Sequence, residues 1–358
     1  MSKSNGLLPI ISGIQQVGIG VTDAKEAWSW YRKFFKMDVP IFEDAATANL
    51  MTRYTSDKAQ ERFAILAMNM QGGGGFEIWQ YTNKKPVRSD FELSLGDLGI
   101  FAVKIRTKDI QKTYDYFVNE GAQVLTAPEL SPCGRMHFYV LDPYGNTFEM
   151  VESPSWFKLN KDHTGGVAGV SIGVSNIDKA LKLYQGILGY HEIKSDVTGL
   201  FEDLIGIHGG EATFRRVLIH RPEGRVGAFS KLLCKSEIEL FEVKDSVPKK
   251  IFENRDWGDL GFIHVCFDIT GMKELSEKCA ENGFPFTVDS SNSFDMGKAA
   301  GHFSYCEDPD GTLIEFVETH KIPIMEKWGW YLNLKNRKPE KSLPNWMLKL
   351  LALNRVKP

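Results

Sequence analysis

The chain has 358 residues, 42% hydrophobic and 25% charged, with a formal net charge of −3. That allows about two soluble domains and leaves no electrostatic footprint for a nucleic-acid partner. Five scattered cysteines with no Cys-x-x-Cys, no apolar run of ~18 residues and no signal-peptide pattern in MSKSNGLLPIISG together predict free thiols and a cytoplasmic location.

In chain order, the first element is an alternating strand, VGIGVTD from Val17, followed by an amphipathic helix over 24–35. QGGGGF (71–76) has no Lys-Ser/Thr after it, so it is not a phosphate loop. It reads as a flexible lead, able to act as a lid, into GGFEIWQY with Glu77. A second strand lies in GDLGIFAVKI from Gly96, followed by a helix over 110–120. RMHFYVLDP then brings His137 to a tight Asp-Pro-x-Gly turn and the strand of DPYGNTFEMVES, with Glu149. ESPSWFKLNKDHTGG is the expected join. Beyond it, VSIGVSN from Val170, a helix over 177–188 and SEIELFEV with Glu239 repeat the opening. GDLGFIHVCF from Gly258, a helix over 272–282, GHFSYCEDP with His302, and DPDGTLIEFVET with Glu315 repeat the second quarter.

Residues 10–155 thus correspond to 165–320. Each half divides again, giving four β-α-β-β-β modules. The expected fold is α+β, with the modules paired in sequence order into two domains, 1–158 and 159–322. The segment 323–358 is a basic C-terminal extension. Lys/Arg at 327, 335, 337, 338, 341, 349, 355 and 357 stand against Glu326 and Glu340, with Trp328, Trp330, Trp346 and WMLKLLAL between. It is expected to lay short helices, broken by Pro323, Pro339 and Pro344, with Trp and Leu against a domain. Peripheral contact with an anionic membrane is the alternative.

Strand alternation separates two faces. Val17, Ile19, Val21, Val103, Ile105, Val170, Ile172, Val174, Val265 and Phe267 should lie under the helices. The other face, with Gln16, Gly18, Ala102, Lys104, Arg106, Gly169, Ser171, His264 and Cys266, suits the lining of a cup. Glu77, Glu149, Glu239 and Glu315 share one face of the closing strands. His137 and His302 fall on different faces and are expected to be structural.

The Asp-Pro-x-Gly-x-x-x-Glu turn-strand and the V-x-I-x-V-x-D opening strand resemble the vicinal oxygen chelate superfamily. It includes glyoxalase I, bleomycin-resistance proteins, extradiol dioxygenases and methylmalonyl-CoA epimerase. The resemblance implies two glyoxalase-like domains, each a cup able to hold a divalent metal (Zn, Fe, Mn, Ni or Co). A His or Gln from each opening strand and a Glu from each closing strand would be the ligands. With modules paired in order, the C-terminal cup offers His264, Glu239 and Glu315 but Gly169 at the fourth corner. The N-terminal cup offers Gln16, Glu77 and Glu149 but Ala102. The expected function is a metal-dependent lyase or isomerase acting on a small oxygenated substrate. Glu239 and Glu315 would be its catalytic carboxylates, and Lys104, Arg106 and Cys266 its substrate contacts. Extradiol cleavage is disfavoured, since its site needs two histidines and one glutamate. A non-catalytic binding protein of the bleomycin-resistance type is the alternative. Four modules in one chain make a monomer or a homodimer the expected state.

Overall fold

The computed structural model describes residues 8–221, 226–291, 294–295, 300–325, 329–334 and 337–356. Glu326, Lys327, Trp328, Lys335 and Lys357 of the extension lie outside them. All four modules form. The first contains β1 (Ile10–Gly20), α1 (Ala24–Phe35), β2 (Val39–Thr47), β3 (Glu61–Met68) and β4 (Gly75–Tyr81). The second contains β5 (Gly99–Thr107), α2 (Ile110–Asn119), β6 (Gln123–Val124), β7 (Glu129–Leu130), β8 (Met136–Leu141) and β9 (Thr147–Glu152). The third contains β10 (Thr164–Gly173), α3 (Ile177–Tyr184), β11 (Glu192–Gly199), β12 (Phe214–His220), α4 (Ser230–Leu233) and β13 (Glu237–Val243). The fourth contains β14 (Gly261–Thr270), α5 (Met272–Glu281), β15 (Val288–Asp289), β16 (Phe294–Asp295), β17 (Ala300–Glu307) and β18 (Leu313–Met325).

Local chemistry starts the first three helices. Asp23 Oδ1 accepts from the backbone N–H of Lys25 and Glu26, while Asp109 and Asn176 cap α2 and α3 in the same way. Such caps satisfy amide donors that a helix leaves unpaired at its start. Gly271 opens α5 in their place at φ 92°, and its N–H is taken by Glu318 Oε1 at 2.8 Å.

Among the described residues the strands form two sheets, and these cross the sequence halves. The first sheet runs β15-β17-β18-β14-β1-β4-β3-β2, with β16 and β19 (Trp330–Asn333) paired at its side. It joins module one to module four through antiparallel β1 and β14. The second sheet runs β11-β12-β13-β10-β5-β9-β8-β6 and joins modules two and three. This corrects the expected pairing of each cup from consecutive modules. All the helix-facing valines, isoleucines and Phe267 named from alternation are fully buried in one core cluster.

The helix layer follows the halves. Tyr31 on α1 donates to Asp142 Oδ2 at 2.6 Å, and Tyr184 on α3 donates to Asp308 Oδ2 at 3.0 Å. The other oxygen of each aspartate closes its own turn, accepting from Tyr144 and Asn146 or from Asp310 and Thr312. The repeated Asp-Pro-x-Gly phrase is therefore the socket for a repeated tyrosine. It ties module one to two, and three to four, through helices, while the sheets tie one to four and two to three.

Two further expectations change. QGGGGF is no lid. Gln71–Gly75 is buried, and Gly72 and Gly74 accept backbone hydrogen bonds from Gly166 and Val167 where modules one and three meet. The extension is also only partly helical. It first adds β19 to the edge of β18, then continues as α6 (Asn345–Leu350) and a 3-10 turn, Leu351–Asn354. Leu343, Leu348 and Leu351 pack on Val39, Met68, Phe229, Leu232 and Leu233, but Trp346 stays 59% exposed. Each buried leucine contributes about 1.5–3 kcal/mol on transfer. Removing residues 340–358 should therefore lower the melting temperature and raise binding of a hydrophobic dye, measured by scanning fluorimetry.

Candidate metal centre

Strand pairing across the halves brings Gln16 on β1, Glu77 on β4, His264 on β14 and Glu315 on β18 onto one floor. Gly18 lies opposite both His264 and Glu77 in register. The imidazole passes directly over that glycine: a Cβ at position 18 would sit 2.4 Å from His264 Cε1. Glycine is the residue that leaves this space.

His264 Nε2 lies 3.1 Å from Glu315 Oε2 and 3.4 Å from Glu77 Oε2. Neither contact is aligned as a hydrogen bond, and both ring nitrogens lack a hydrogen-bond partner. Gln16 donates to Glu315 Oε2 at 3.4 Å, while its own buried Oε1 has no partner. One ligand atom from each of Glu77, His264 and Glu315 fits within 4.8 Å of the others. Donors that converge, are buried and remain poorly paired fit a divalent cation. Burial pushes the imidazole pKa down, but the Glu315 and Glu77 carboxylates outweigh it and hold the pKa up at about 9. Burial likewise pushes Glu315 up, and His264 brings it below its ordinary value.

Tyr305 was missed in the sequence. Its hydroxyl donates to Glu315 Oε1 at 2.8 Å, and burial beside Glu315 and Glu77 keeps the phenol protonated. A signal was available: Tyr305 precedes Asp308 as Tyr139 precedes Asp142, and each faces its module's glutamate across the ladder. The floor opens into a cavity of about 480 Å³ lined largely by apolar side chains, Trp79 and Trp257 among them.

The second sheet gathers the other four corner positions: Ala102, Glu149, Gly169 and Glu239. A lysine replaces the missing ligands. Lys104 Nζ lies 2.6 Å from Glu149 Oε2, 2.5 Å from Glu239 Oε2 and 3.7 Å from Glu237 Oε1, with 1% of its side chain exposed. Arg216 bridges Glu239 and Asp203, and His137 lies between Glu149 (2.8 Å) and Asp203 (3.0 Å). Burial would push Glu149 up, but Lys104 and His137 hold it far below its ordinary value. The space left there is about 10 Å³.

The site residues named from sequence are therefore redistributed. His264 and Glu315 come together, joined by Gln16 and Glu77 from the other expected cup. Glu239, expected beside them, and Glu149, expected beside Gln16 and Glu77, both pair with Lys104 in the second sheet. Lys104 is thus engaged by carboxylates and not exposed to a substrate. Arg106 donates to Ser153 Oγ and to the Val167 carbonyl and is 2% exposed. Cys266 is fully buried beneath the first cup, and burial together with Glu315 raises its thiol pKa. None of these three lines the 480 Å³ cavity. His302 pairs with Asp289, away from the floor.

In comparisons with known proteins, the family model for the Glyoxalase/Bleomycin resistance protein/Dioxygenase superfamily matches residues 13–150 and again 162–316, giving two glyoxalase-like domains. No curated protein matches significantly. Among solved structures, glyoxalase I from Zea mays is similar at 12% identity and TM-score 0.51, covering 86% of this chain and 92% of that one. A mutant form of the same maize enzyme gives 13% and 0.54 over the same shares. A putative dioxygenase from Bacillus subtilis gives 13% and 0.55, covering 86% of each chain. At such identities the likeness concerns the fold alone, and the two family matches are what decide membership. With two matched stretches spanning most of its length and a floor of converging ligand-type side chains, the chain belongs to the glyoxalase/bleomycin resistance protein/dioxygenase superfamily.

Proposed function

We propose that the first cup holds one divalent metal and that the protein is a metal-dependent enzyme moving a proton on a small oxygenated substrate. The observation that carries this is the convergence of Glu77, His264 and Glu315, with Gln16, where Gln16, Glu77 and Glu315 line the cavity and His264 stands fully buried behind them. Those four side chains would hold the ion. When bound, it would act as a Lewis acid that stabilises negative charge on adjacent substrate oxygens. Glu315 and Glu77 are the carboxylates within reach of a substrate there, and either can carry a proton between two of its atoms. Tyr305 fixes Glu315 Oε1 by donating to it, which orients that carboxylate's other oxygen toward His264. The surrounding walls are largely apolar, which lowers the local dielectric and strengthens each electrostatic contact. A single histidine still argues against extradiol cleavage.

Incomplete ligand corners in both cups would favour the binder reading. That reason falls away once β1 and β14 share a sheet. The test is elemental analysis of untagged protein from metal-replete cells, combined with NMR in D2O using a neutral α-hydroxyketone. About one transition metal per chain, with exchange of the carbon-bound proton, is the expected outcome. Metal-free protein that binds the ketone without exchange would establish the binder instead. No helix among the described residues is long and apolar enough to cross a membrane.

A further inference from the structure

The walls of the 480 Å³ cavity carry information that its floor does not. Four parts of the chain build them, module four among them with Phe303, Val317 and Ile322. Module one gives Ile41, Phe42, Met51, Leu66 and Met68. The helix α4 of module three reaches over from the other sheet with Phe229, Leu232 and Leu233. The C-terminal extension adds Leu351 and Asn354. α4 and the extension are fixed to one another. Leu343 N–H donates to the Ala228 carbonyl at 2.9 Å, and Ser230 and Ser342 hydroxyls lie 2.7 Å apart. Leu232, Leu348 and Leu351 share one buried cluster. The far wall is thus a packed element and not a loose flap.

Among its described residues that wall carries no charge. Among the described lining residues the charged side chains are Glu77 and Glu315 of the floor, with Asp44 and Arg62. Arg62 Nη1 donates to the Asp44 carbonyl at 2.8 Å and lies 3.2 Å from Asp44 Oδ2, so its charge is already matched. A substrate with a phosphate or carboxylate on its body would lose hydration with no unmatched cation among the described wall residues to receive it. A cavity in the range of small-molecule sites, with polar groups at one end and hydrocarbon at the other, selects by shape and apolar contact.

We propose that the first cup takes an uncharged substrate whose oxygenated end meets the floor at Glu77 and Glu315, in front of the buried His264, and whose body is an extended apolar chain or ring. α4 and the Leu351 turn set the length of that body. The proposal rests on the first cup being the ligand site, as argued for the function. It would give the extension a part in specificity and not only in packing.

The experiment uses the full-length protein and two series of probes. The first is 1-hydroxy-2-alkanones from three to ten carbons. The second is the same ketones with a carboxylate at the far end. Binding is followed by quenching of tryptophan fluorescence, since Trp79 and Trp257 line the cavity, and metal content is measured on the same samples. In the neutral series, affinity should rise about fourfold per added methylene until the cavity is full, then level off. The carboxylated series should bind at least tenfold more weakly at equal length. Leu351→Ala should move the levelling point to longer chains, and Leu351→Trp to shorter ones. Affinity that ignores chain length, or carboxylated ketones that bind as well as neutral ones, would overturn the proposal even in metal-loaded protein. Chain-length dependence in protein that takes up no metal would overturn the metal reading and leave the apolar substrate class standing.

Discussion

Glu77→Gln protein should lose its metal, while Glu239→Gln protein should keep it. The first change removes a carboxylate within 3.4 Å of His264. Substituting residues that only support a ligand typically costs 10–100-fold in affinity, so removing a direct ligand should cost roughly 100-fold or more. Glu239 pairs with Lys104 and Arg216 in the other sheet, away from the ligand set. Elemental analysis after gel filtration separates the outcomes, with circular dichroism to confirm that both variants are folded. Metal lost with Glu239 and kept with Glu77 would mean that consecutive modules build the cup after all.

Lys104→Met should destabilise the protein strongly. The ammonium stands among Glu149, Glu239 and Glu237, all buried. Removing one partner of a buried ion pair costs about 3–5 kcal/mol because the remaining charge stays desolvated. Here Glu149 and Glu239 both lose a close partner, although each keeps another, His137 and Arg216. The sign of the pH dependence follows from Glu149. Its folded pKa is depressed, so in the wild type its contribution is full above the ordinary carboxylate value of 4.5 and is lost as pH falls below it. In the variant the carboxylates gain from protonation instead. The stability gap, measured by urea denaturation, should be widest near pH 7 and narrow toward pH 4. A gap that stays constant with pH would place the lysine's effect in packing, not charge.

Much of the fold was legible because it is local. Helix starts, the tight turns and the strand faces each follow from a few neighbouring residues, and the helix-facing side chains all proved buried. Which strands would pair was not legible. Alternation fixes the face a side chain occupies but not the strand beside it, and the internal repeat makes several pairings equally plausible from sequence. Sterics did leave one trace. His264 needs a neighbour without a Cβ; module one offers Gly18 at that point, whereas module three has Ser171. Lys104 was misread for a different reason. Its strand position was correct, but its partners come from β9 and β13, on two different modules.

The nesting of the two sheets also has a consequence in time. Modules two and three pair with each other inside the stretch enclosed by modules one and four. A chain emerging from the ribosome can complete the lysine-centred sheet first, from strands β5 to β13. Gln16 must wait until Glu315 has been made, 299 positions later. At about 5–20 residues per second that delay lasts roughly 15 to 60 seconds. Until then β1 and β4 carry half a set of ligands along an uncovered strand edge. The cup that would bind a cation therefore closes after the lysine-centred sheet, and a nascent chain cannot assemble the complete ligand set until Glu315 has been made.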